Sequence, residues 1–270
     1  MLGYNEDMKP NKLDHLSPSS IAQFLRCAHQ WKLERVDGIP REGSMALVGG
    51  LAWHEVSAAN FLQKIETGND LSEHELRKLF EKYFQKKLDE SRIYVPPGES
   101  LKDLIEEARA RLINLVSEYV EYAKNIMPIE GGIEKRLVIP GTDLYPDIIC
   151  YIDLIDDQRN VRDLKTTKKE WGDSDVDLDI QLSAYGLAYR MHYGQDARGF
   201  SYDFLVASGT RTKHIVKRTT RTAKHFVAFL KRASFVWEAH TAGIYPPANK
   251  GWWCTEKYCS HWAHCEYIPK

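Results

Sequence analysis

The segment ICYIDLIDDQRNVRDLKTT, which spans residues 149–167, constrains the fold of this chain most strongly. Two strand-like runs flank the polar residues 156–160, a pattern typical of two strands joined by a turn. If the hairpin pivots near the middle of this turn, Asp153 lies roughly opposite Asp163. Because side chains alternate between the two faces of a strand, Lys165 shares a face with Asp163. The sequence therefore predicts that two carboxylates and one ammonium group converge on one patch.

This combination of groups indicates a metal site. Paired carboxylates bind a hard divalent cation such as Mg²⁺ through oxygen. Such a cation activates water and stabilises the transition state of phosphate hydrolysis, while a lysine adds positive charge or orients the water. Asp147 is a competing carboxylate, but it precedes Asp153 by six residues, which is roughly 20 Å along an extended strand. It cannot readily share one metal ion with Asp163, so we favour Asp153.

Helical periodicity fills the first part of the chain, and strand-like patterns begin after Gly131-Gly132. The predicted helices cover residues 17–36, 46–65, 72–91, 101–127, 177–193 and 222–243, and the predicted strands cover residues 133–140, 148–155, 160–167, 199–208 and 212–219. This order predicts an α/β core that carries a helical extension. We divide the chain into a helical part (1–130), a core (131–245) and a tail that contains cysteines (246–270).

The composition is that of an ordinary globular chain, with 43% hydrophobic and 28% charged residues. The sequence contains neither an apolar run long enough to span a bilayer nor an apolar signal segment. We therefore expect no membrane association and a cytoplasmic location. Disulfides are rare in that compartment, so clustered cysteines there indicate a metal.

The net charge of −1 conceals a segregation of charge along the sequence. Ten acidic side chains lie between Asp147 and Asp179, whereas residues 204–237 contain eight basic side chains and no acidic one. These basic residues are Arg211, Lys213, Lys217, Arg218, Arg221, Lys224, Lys231 and Arg232. Such a block indicates either a solvated surface or a stripe that binds phosphates.

Two predicted helices carry further candidate side chains. Gln181 and Tyr185 are four residues apart and share one helical face, either as part of an amphipathic surface or beside a site. His54 shares a face with Leu51 and Ala58, where a histidine is either a core residue or a metal ligand. A neutral imidazole suits Mn²⁺ or Mg²⁺ beside carboxylates.

Taken in their order along the chain, these motifs resemble the RecB-like branch of the PD-(D/E)XK nuclease superfamily. The resemblance rests on the D-x9-D-L-K pattern that ends at Lys165, on the Q-x-x-x-Y pattern of residues 181–185 and on the G-x-x-x-H pattern of residues 50–54. It implies a restriction-endonuclease-like mixed sheet flanked by helices.

The resemblance also implies a role for each candidate residue. In such nucleases the equivalents of Asp153, Asp163 and His54 bind Mg²⁺ or Mn²⁺, and the lysine positions or polarises the attacking water. The glutamine and tyrosine support the site or the nearby DNA, and a glutamate is often found at the start of the first strand. The residues to which these roles carry over are His54, Glu134, Asp153, Asp163, Lys165, Gln181 and Tyr185.

The cysteines extend the resemblance to a subset of these nucleases that contains an iron–sulfur cluster, including AddB-type and CRISPR-associated exonucleases. Their pattern places one cysteine in an early helix and three near the C-terminus, and the matching residues are Cys27, Cys254, Cys259 and Cys265. The spacing of the last pair matches the family, whereas four residues separate Cys254 from Cys259, where two are usual. Four thiolates suit a [4Fe–4S] cluster. Zinc bound with His261 or His264 is the alternative, and Cys150 is predicted to be a buried apolar residue.

We therefore predict a metal-dependent DNA exonuclease in recombination, repair or end processing, with the basic segment bound to the phosphates of single strands or duplex ends. The sequence has no phosphate-binding motif of a helicase, which predicts a stand-alone nuclease. The alternative is a non-catalytic or partner-dependent DNA-binding adaptor on a nuclease scaffold, as in CRISPR spacer processing, with a recombination or CRISPR protein as its partner.

Overall fold

A six-stranded mixed sheet forms the centre of this computed structural model, which describes residues 13–249 and 251–268. The strands are β1 (His15–Leu16), β2 (Pro128–Ile139), β3 (Asp147–Asp156), β4 (Asn160–Thr167), β5 (Gly199–Ser208) and β6 (Arg211–Thr219). β2 pairs along one edge of β3, β1 and β4 pair with opposite ends of its other edge, and β5 and β6 follow β4. The predicted mixed sheet flanked by helices is confirmed.

The helices precede, interrupt and follow the strands. In the described part of the chain they are α1 (Pro18–Arg26), α2 (Ala28–Arg35), α3 (Met45–Thr67), α4 (Glu73–Glu90), α5 (Leu101–Ile113), α6 (Val116–Ala123), α7 (Asp173–Leu178), α8 (Gln181–Tyr193), α9 (Ala223–Thr241) and a 3-10 helix (Trp262–His264). None of these described helices has both the length and the apolar character needed to cross a membrane.

Strand β5 shows how the helices enclose the sheet. Phe204 and Val206 belong to a core that includes residues of α1, α2, α8 and α9, whereas Leu205 and Ala207 belong to a core formed largely by α3–α6. Because both of its faces are buried, β5 is largely apolar, as is typical of an internal strand. β4 runs parallel to β5, and α7 and α8 form the crossover that parallel pairing requires.

Two of the predicted helices are broken in the structure. The predicted helix 17–36 divides into α1 and α2 because Cys27 adopts an extended backbone, and its Sγ accepts the N–H of Gln30 in the first turn of α2. The predicted helix 101–127 divides into α5 and α6. The predicted helix 177–193 begins later than expected, at the first residue of α8, and α7 is a separate short helix.

Strand β2 contains a bulge that the sequence analysis did not predict. It begins at Pro128, and its pairing with β3 shifts register between Pro128 and Ile133. Gly131, in this bulge, has a φ of +67°, a conformation that glycine adopts without strain. The strand crosses the predicted boundary between residues 130 and 131, and the division into three parts stays a prediction.

A buried ionic network connects α6 to the sheet. Arg162 Nε donates a hydrogen bond of 2.8 Å to Asp203 Oδ2, and the Tyr122 hydroxyl donates one of 3.0 Å to the same oxygen. The Asp156 carboxylate lies 3.4 Å from the Arg162 guanidinium, and all four side chains belong to buried residues. A buried charge that loses its partner destabilises a protein by several kcal/mol, so these contacts hold α6, β4 and β5 together.

We expect Asp203→Asn to lower the free energy of unfolding by about 3 kcal/mol, because the buried Arg162 guanidinium would lose its closest counter-charge. Urea unfolding followed by circular dichroism measures this loss. Tyr122→Phe is the matched control: it removes one hydrogen bond but keeps the ion pair, and it should cost about 1 kcal/mol. Equal losses for the two variants would contradict this account of the network.

Candidate active site

The candidate active site lies where β3 and β4 separate. Their backbone pairing is confined to the turn end of the hairpin, where Ile155 lies opposite Val161 and Leu154 opposite Arg162, and Asp153 and Asp163 are the next residues beyond this paired segment. At this point the Leu164 N–H donates a hydrogen bond of 2.8 Å to Asp153 Oδ2. The Asp153 carboxylate thus accepts the hydrogen bond that a backbone carbonyl of β3 would accept if the two strands remained paired.

Three side chains with metal-ligand atoms meet beside this hairpin. One atom each from His54 on α3, Glu134 on β2 and Asp153 on β3 lies within 4.8 Å of the other two. His54 Nδ1 is 3.4 Å from Asp153 Oδ2 and 3.8 Å from Glu134 Oε1. One imidazole nitrogen and two carboxylate oxygens are suitable donors for Mg²⁺ or Mn²⁺. The sequence analysis predicted Asp163 as the third ligand beside His54 and Asp153, whereas Glu134 has that position in this set of three.

Glu134 has a strained backbone conformation. Its φ is +45°, which lies in the left-handed region that residues with a side chain rarely adopt. It follows the bulge in β2, and the register of β2 with β3 places it opposite Asp153. Strain of this kind costs on the order of 1–3 kcal/mol and is concentrated at functional sites. The bend in β2 therefore lowers stability while it brings the Glu134 carboxylate towards His54.

Asp163, Lys165, Gln181 and Tyr185 form a second group of contacts beside these ligands. Lys165 Nζ lies 2.6 Å from Asp163 Oδ2 and donates a hydrogen bond of 3.1 Å to Gln181 Oε1. Gln181 Nε2 donates to Asp163 Oδ1 at 2.9 Å and to the Tyr185 hydroxyl oxygen at 2.7 Å. Among the described residues none forms a hydrogen bond of normal geometry with the buried Asp163 Oδ2. That oxygen nevertheless stays in contact with the Lys165 ammonium group, 2.6 Å away.

Burial and neighbouring charges shift the pKa of Asp163, Asp153 and His54 in this site. Burial raises the pKa of Asp163 to about 7, against the opposing effect of Lys165, and it also raises the pKa of Asp153. Burial acts to lower the pKa of His54, but the carboxylates of Asp153 and Glu134 outweigh it and raise this pKa to about 9. In the absence of a metal ion the cluster therefore holds protons that a divalent cation can displace.

Lys165 keeps its charge in this environment. Burial acts to lower its pKa, but the carboxylates of Asp163 and Asp153 outweigh that effect and raise it. An ammonium group donates hydrogen bonds and has no lone pair. Lys165 can therefore neutralise a phosphate oxygen or orient a water molecule, and it cannot accept a proton from that water.

Asp179 and Tyr202 also contact the site, and the sequence analysis did not identify them. Tyr202 lies beside Asp163 in the parallel pairing of β4 with β5, and Lys165 Nζ is 5.4 Å from the centre of its ring. The Tyr202 hydroxyl and the Gln181 N–H donate to Asp179 Oδ1 at 2.5 and 2.7 Å. The register of β4 with β5 could have identified Tyr202, whereas no local signal points to Asp179.

Asp147 has a structural contact at the other end of β3. Its Oδ1 accepts the N–H of Gly141 at 2.7 Å and closes the loop that leads into the strand. The set of three ligand atoms includes Asp153 and not Asp147. This placement agrees with the preference for Asp153, which remains to be tested by mutation.

The predicted phosphate-binding segment contains exposed side chains and side chains that contact other groups of the protein. Arg221 is buried, and its guanidinium donates to the backbone carbonyls of Val176 and Asp179, so the prediction that it contacts DNA is wrong. Lys213 and Lys217 each form an ion pair with an acidic side chain, at 2.9 and 2.6 Å. The exposed basic residues of the segment that have no ion pair among the described residues are Arg211, Arg218, Lys224, Lys231 and Arg232.

Four of the five cysteines line one cavity of about 130 Å³ between the first helices and the tail; they are Cys27, Cys254, Cys259 and Cys265. All five cysteines are free thiols. Burial and the proximity of the other cysteines raise the pKa of Cys254 and of Cys259. Cys150 is buried in β3, away from this cavity, as the sequence predicts.

The arrangement of the four thiols does not fit a compact zinc site. Within residues 13–249 and 251–268, no three of the sulfur atoms lie within 4.8 Å of one another, whereas zinc–sulfur bonds of about 2.3 Å place the sulfurs of a tetrahedral site about 3.8 Å apart. His261 Nε2 lies 3.4 Å from the carbonyl oxygen of Ile39, and His264 is not among the residues that line the cavity. His261, in contrast, does line the cavity together with the four cysteines.

Matches to known proteins cover nearly the whole chain. Among solved structures, the crystal structure of a “Putative exonuclease” from Eubacterium rectale has a TM-score of 0.54 and 14% sequence identity, and the match covers 100% of this chain and 96% of that one. The crystal structure of SSO0001 matches with a TM-score of 0.35 and 12% identity over 92% of this chain and 95% of that one, too weakly to carry an argument. No curated protein matches the chain in sequence.

The family itself is identified by sequence. At 14% identity the structural match shows a shared fold and nothing more. The sequence profile of the PD-(D/E)XK nuclease superfamily, in contrast, matches residues 15–266, a range that includes every residue of the candidate site and all four cysteines of the cavity. The chain therefore belongs to the PD-(D/E)XK nuclease superfamily.

Proposed function

We propose that this protein is a divalent-metal-dependent deoxyribonuclease that hydrolyses phosphodiester bonds from DNA ends. The observation that carries this proposal is the convergence of His54, Glu134 and Asp153 within 4.8 Å, next to the ion pair of the buried Asp163 with the partly buried Lys165. A decayed nuclease scaffold has no need to keep a strained glutamate and a buried lysine–aspartate pair together. The retained set therefore favours an enzyme over a DNA-binding adaptor.

The residues divide the chemistry of hydrolysis between them. His54, Glu134 and Asp153 would hold Mg²⁺ or Mn²⁺, with Asp163 Oδ2 as a further donor. When bound, the cation supplies an activated water and neutralises negative charge on the phosphate. Lys165 supplies a fixed positive charge in a partly buried position, where electrostatic stabilisation is stronger than in bulk water.

Gln181 keeps the lysine in place. It contacts Lys165, Asp163 and Tyr185, and its own backbone is held by Asp179. Its side-chain oxygen accepts from the lysine while its nitrogen donates to the carboxylate, so a single amide fixes both partners. We therefore assign Gln181 and Tyr185 as positioning residues.

Action from DNA ends and a place in recombination, repair or CRISPR spacer processing are parts of the same proposal. The fold is similar to that of a protein described as a putative exonuclease, and the motifs resemble the RecB-like branch. The exposed basic residues after β5 would bind phosphates, with an affinity that falls steeply as the salt concentration rises. They are Arg211, Arg218 and Lys224, with a smaller share for the ion-paired Lys213 and Lys217.

We further propose that Cys27, Cys254, Cys259 and Cys265 hold a [4Fe–4S] cluster. The support for this assignment is the one cavity that all four thiols line, together with the resemblance in cysteine pattern. A cytoplasmic location would keep the thiols reduced and available. The cluster would join the start of α2 to the tail, and its loss would loosen that part of the fold.

We expect Lys165→Ala to lower the rate of DNA cleavage in Mg²⁺ or Mn²⁺ at least about 100-fold, because the site loses its fixed positive charge. Degradation of end-labelled linear DNA, with EDTA as the metal-free reference, measures the rate. Lys169→Ala is the matched control, since Lys169 is an exposed lysine on the same segment. Unchanged cleavage by Lys165→Ala would remove this site from the reaction, and no cleavage by the wild type would overturn the proposed activity.

Because Glu134 is both strained and a candidate metal ligand, replacing it with glycine should raise stability and lower activity. Glu134→Gly and Glu134→Gln both remove a metal ligand and should both lower cleavage strongly. In EDTA, however, Glu134→Gly should be about 1 kcal/mol more stable than Glu134→Gln, because glycine relieves the positive φ. Urea unfolding measures the difference. Arg159→Gly is the control, since Arg159 has a φ of +64° in the turn after β3 and should gain stability without losing cleavage.

The cluster assignment predicts a brown protein after purification without oxygen, with close to four iron and four sulfide per chain. Cys27→Ser should lose most of the iron, because a cluster ligand is removed. Cys150→Ala is the matched control: its thiol is buried in β3, and the variant should keep its iron. A colourless protein that contains zinc would refute the iron–sulfur assignment.

A further inference from the structure

A cleft of about 570 Å³ lies between the cysteine tail and the helical part of the chain. Its walls include Arg26 at the end of α1, Arg41 before α3, Arg111 on α5 and the tail residues Trp252 and Tyr258. No step of the reaction proposed above uses these side chains. They nevertheless combine two kinds of group that recur where proteins bind single-stranded nucleic acid.

The first kind of group is positive charge that forms no ion pair within the described residues. Arg26, Arg41 and Arg111 form no ion pair with any described carboxylate, and Glu42 is the one acidic residue in the described lining of the cleft. Burial, together with the nearby Arg41 guanidinium, lowers the pKa of Arg26. The buried Arg111 Nε has no hydrogen-bond partner among the described residues. Like charges held this close favour an anion between them.

The second kind of group is exposed aromatic surface. Trp252 is 70% exposed and Tyr258 is 54% exposed, although large aromatic side chains are normally well covered. Their rings lie 5.0 Å apart and are perpendicular to each other. Their rings thus present uncovered surface to the cleft. Flat, accessible aromatic faces of this kind bind unpaired bases by stacking.

The cleft borders the segment that follows the active-site lysine. Thr166, Thr167 and Lys168 line it, and they follow Lys165 without a gap along the chain. A side chain at Gly50 on α3 would lie 3.4 Å from the Thr166 hydroxyl oxygen, so α3 passes close to this end of β4. His54 stands one turn further along the same helix. A strand that occupies the cleft therefore lies beside the end of β4 that follows Lys165 and beside the helix that carries His54.

We propose that this cleft binds single-stranded DNA and guides it into the active site, with Arg26, Arg41 and Arg111 on its phosphates and Trp252 and Tyr258 stacked on its bases. The inference rests on the proposed nuclease function and adds to it the form of the substrate. A duplex hides its base faces within the helix, so this cleft selects an unpaired strand over paired DNA.

The test is binding of a fluorescein-labelled thymidine oligonucleotide of about 20 nucleotides, measured by fluorescence anisotropy with the full-length protein in EDTA. Trp252→Ala should weaken binding roughly tenfold, since stacking contributes strongly per base, and should leave its salt dependence unchanged. Arg41→Ala should also weaken binding and should lower the slope of log affinity against log salt concentration by about 0.7, the value for one lost phosphate contact on a single strand.

Controls separate these effects from misfolding and from general loss of charge. Arg198→Ala removes an exposed arginine just before β5, at the end of β4 and β5 that is opposite to the cleft. Phe235→Ala removes an aromatic residue of 56% exposure on α9. Both should bind like the wild type. Trp252→Phe should recover most of the affinity that Trp252→Ala loses. Because Trp252 is close to Cys254 in sequence, Tyr258→Ala and the iron content of each variant show whether the tail remains intact.

Several results would overturn the proposal. Wild-type affinity of both Arg41→Ala and the two aromatic variants would remove the cleft from binding. Equal affinity for a blunt hairpin duplex would remove the preference for a single strand, and tighter binding of RNA of the same length would remove the assignment to DNA. If the wild type cleaves DNA and the cleft variants cleave it equally well, this inference fails while the proposed nuclease function stands; if the wild type does not cleave, the proposed function fails instead.

Discussion

The buried carboxylate of Asp163 sets the requirements that the rest of the site meets. Its side chain has no exposed surface, and burial raises its pKa to about 7, so its ionised form needs positive charge nearby. Lys165, two residues further along β4, supplies that charge from the same face of the strand. Gln181 at the start of α8 then satisfies both groups. The position of α8, and with it the crossover to β5, is thus coupled to one buried charge. The neighbouring Asp153 carboxylate also raises the pKa of Asp163, so one ammonium group faces two carboxylates and the site favours a divalent cation.

The site forms where the regular pairing of the sheet is interrupted. β3 and β4 pair only near their turn, and β2 bulges between Pro128 and Ile133 before it reaches Glu134. A regular ladder would give every backbone N–H at this point a backbone acceptor, and the Leu164 N–H would not need the Asp153 side chain. Each irregularity lowers stability, and each leaves a carboxylate, Asp153 or Glu134, free to point into the site. The buried contacts of Arg162 and Asp203 on the adjoining strands offset part of that cost.

The sequence predicts those features that depend on local pattern. The strands predicted at residues 160–167 and 199–208 match β4 and β5 at both ends. The hairpin register follows from turn length alone, so the opposition of Asp153 and Asp163 was predictable. The break at Cys27, the strain at Glu134 and the burial of Arg221 depend on partners that are distant in sequence. Asp179 and Tyr202 were missed for the same reason: only the parallel pairing of β4 with β5 and the approach of α8 bring them to the site.

The tail connects the two proposals physically. Tyr258 is adjacent to Cys259, and Trp252 precedes Cys254 by two residues, so the aromatic wall of the cleft is carried on the loops that hold the cysteines. Apart from the 3-10 helix, the described tail has no regular secondary structure, and its anchors to the preceding chain include the Tyr94 hydroxyl bound to the Glu256 carbonyl and an ion pair of Lys257 with Glu99. Exposed contacts of this kind are worth little individually. A cluster bound by four thiolates would therefore supply most of the rigidity that a stacking surface needs, so that cluster loss would weaken binding of a single strand before it affects the metal ligands on the sheet.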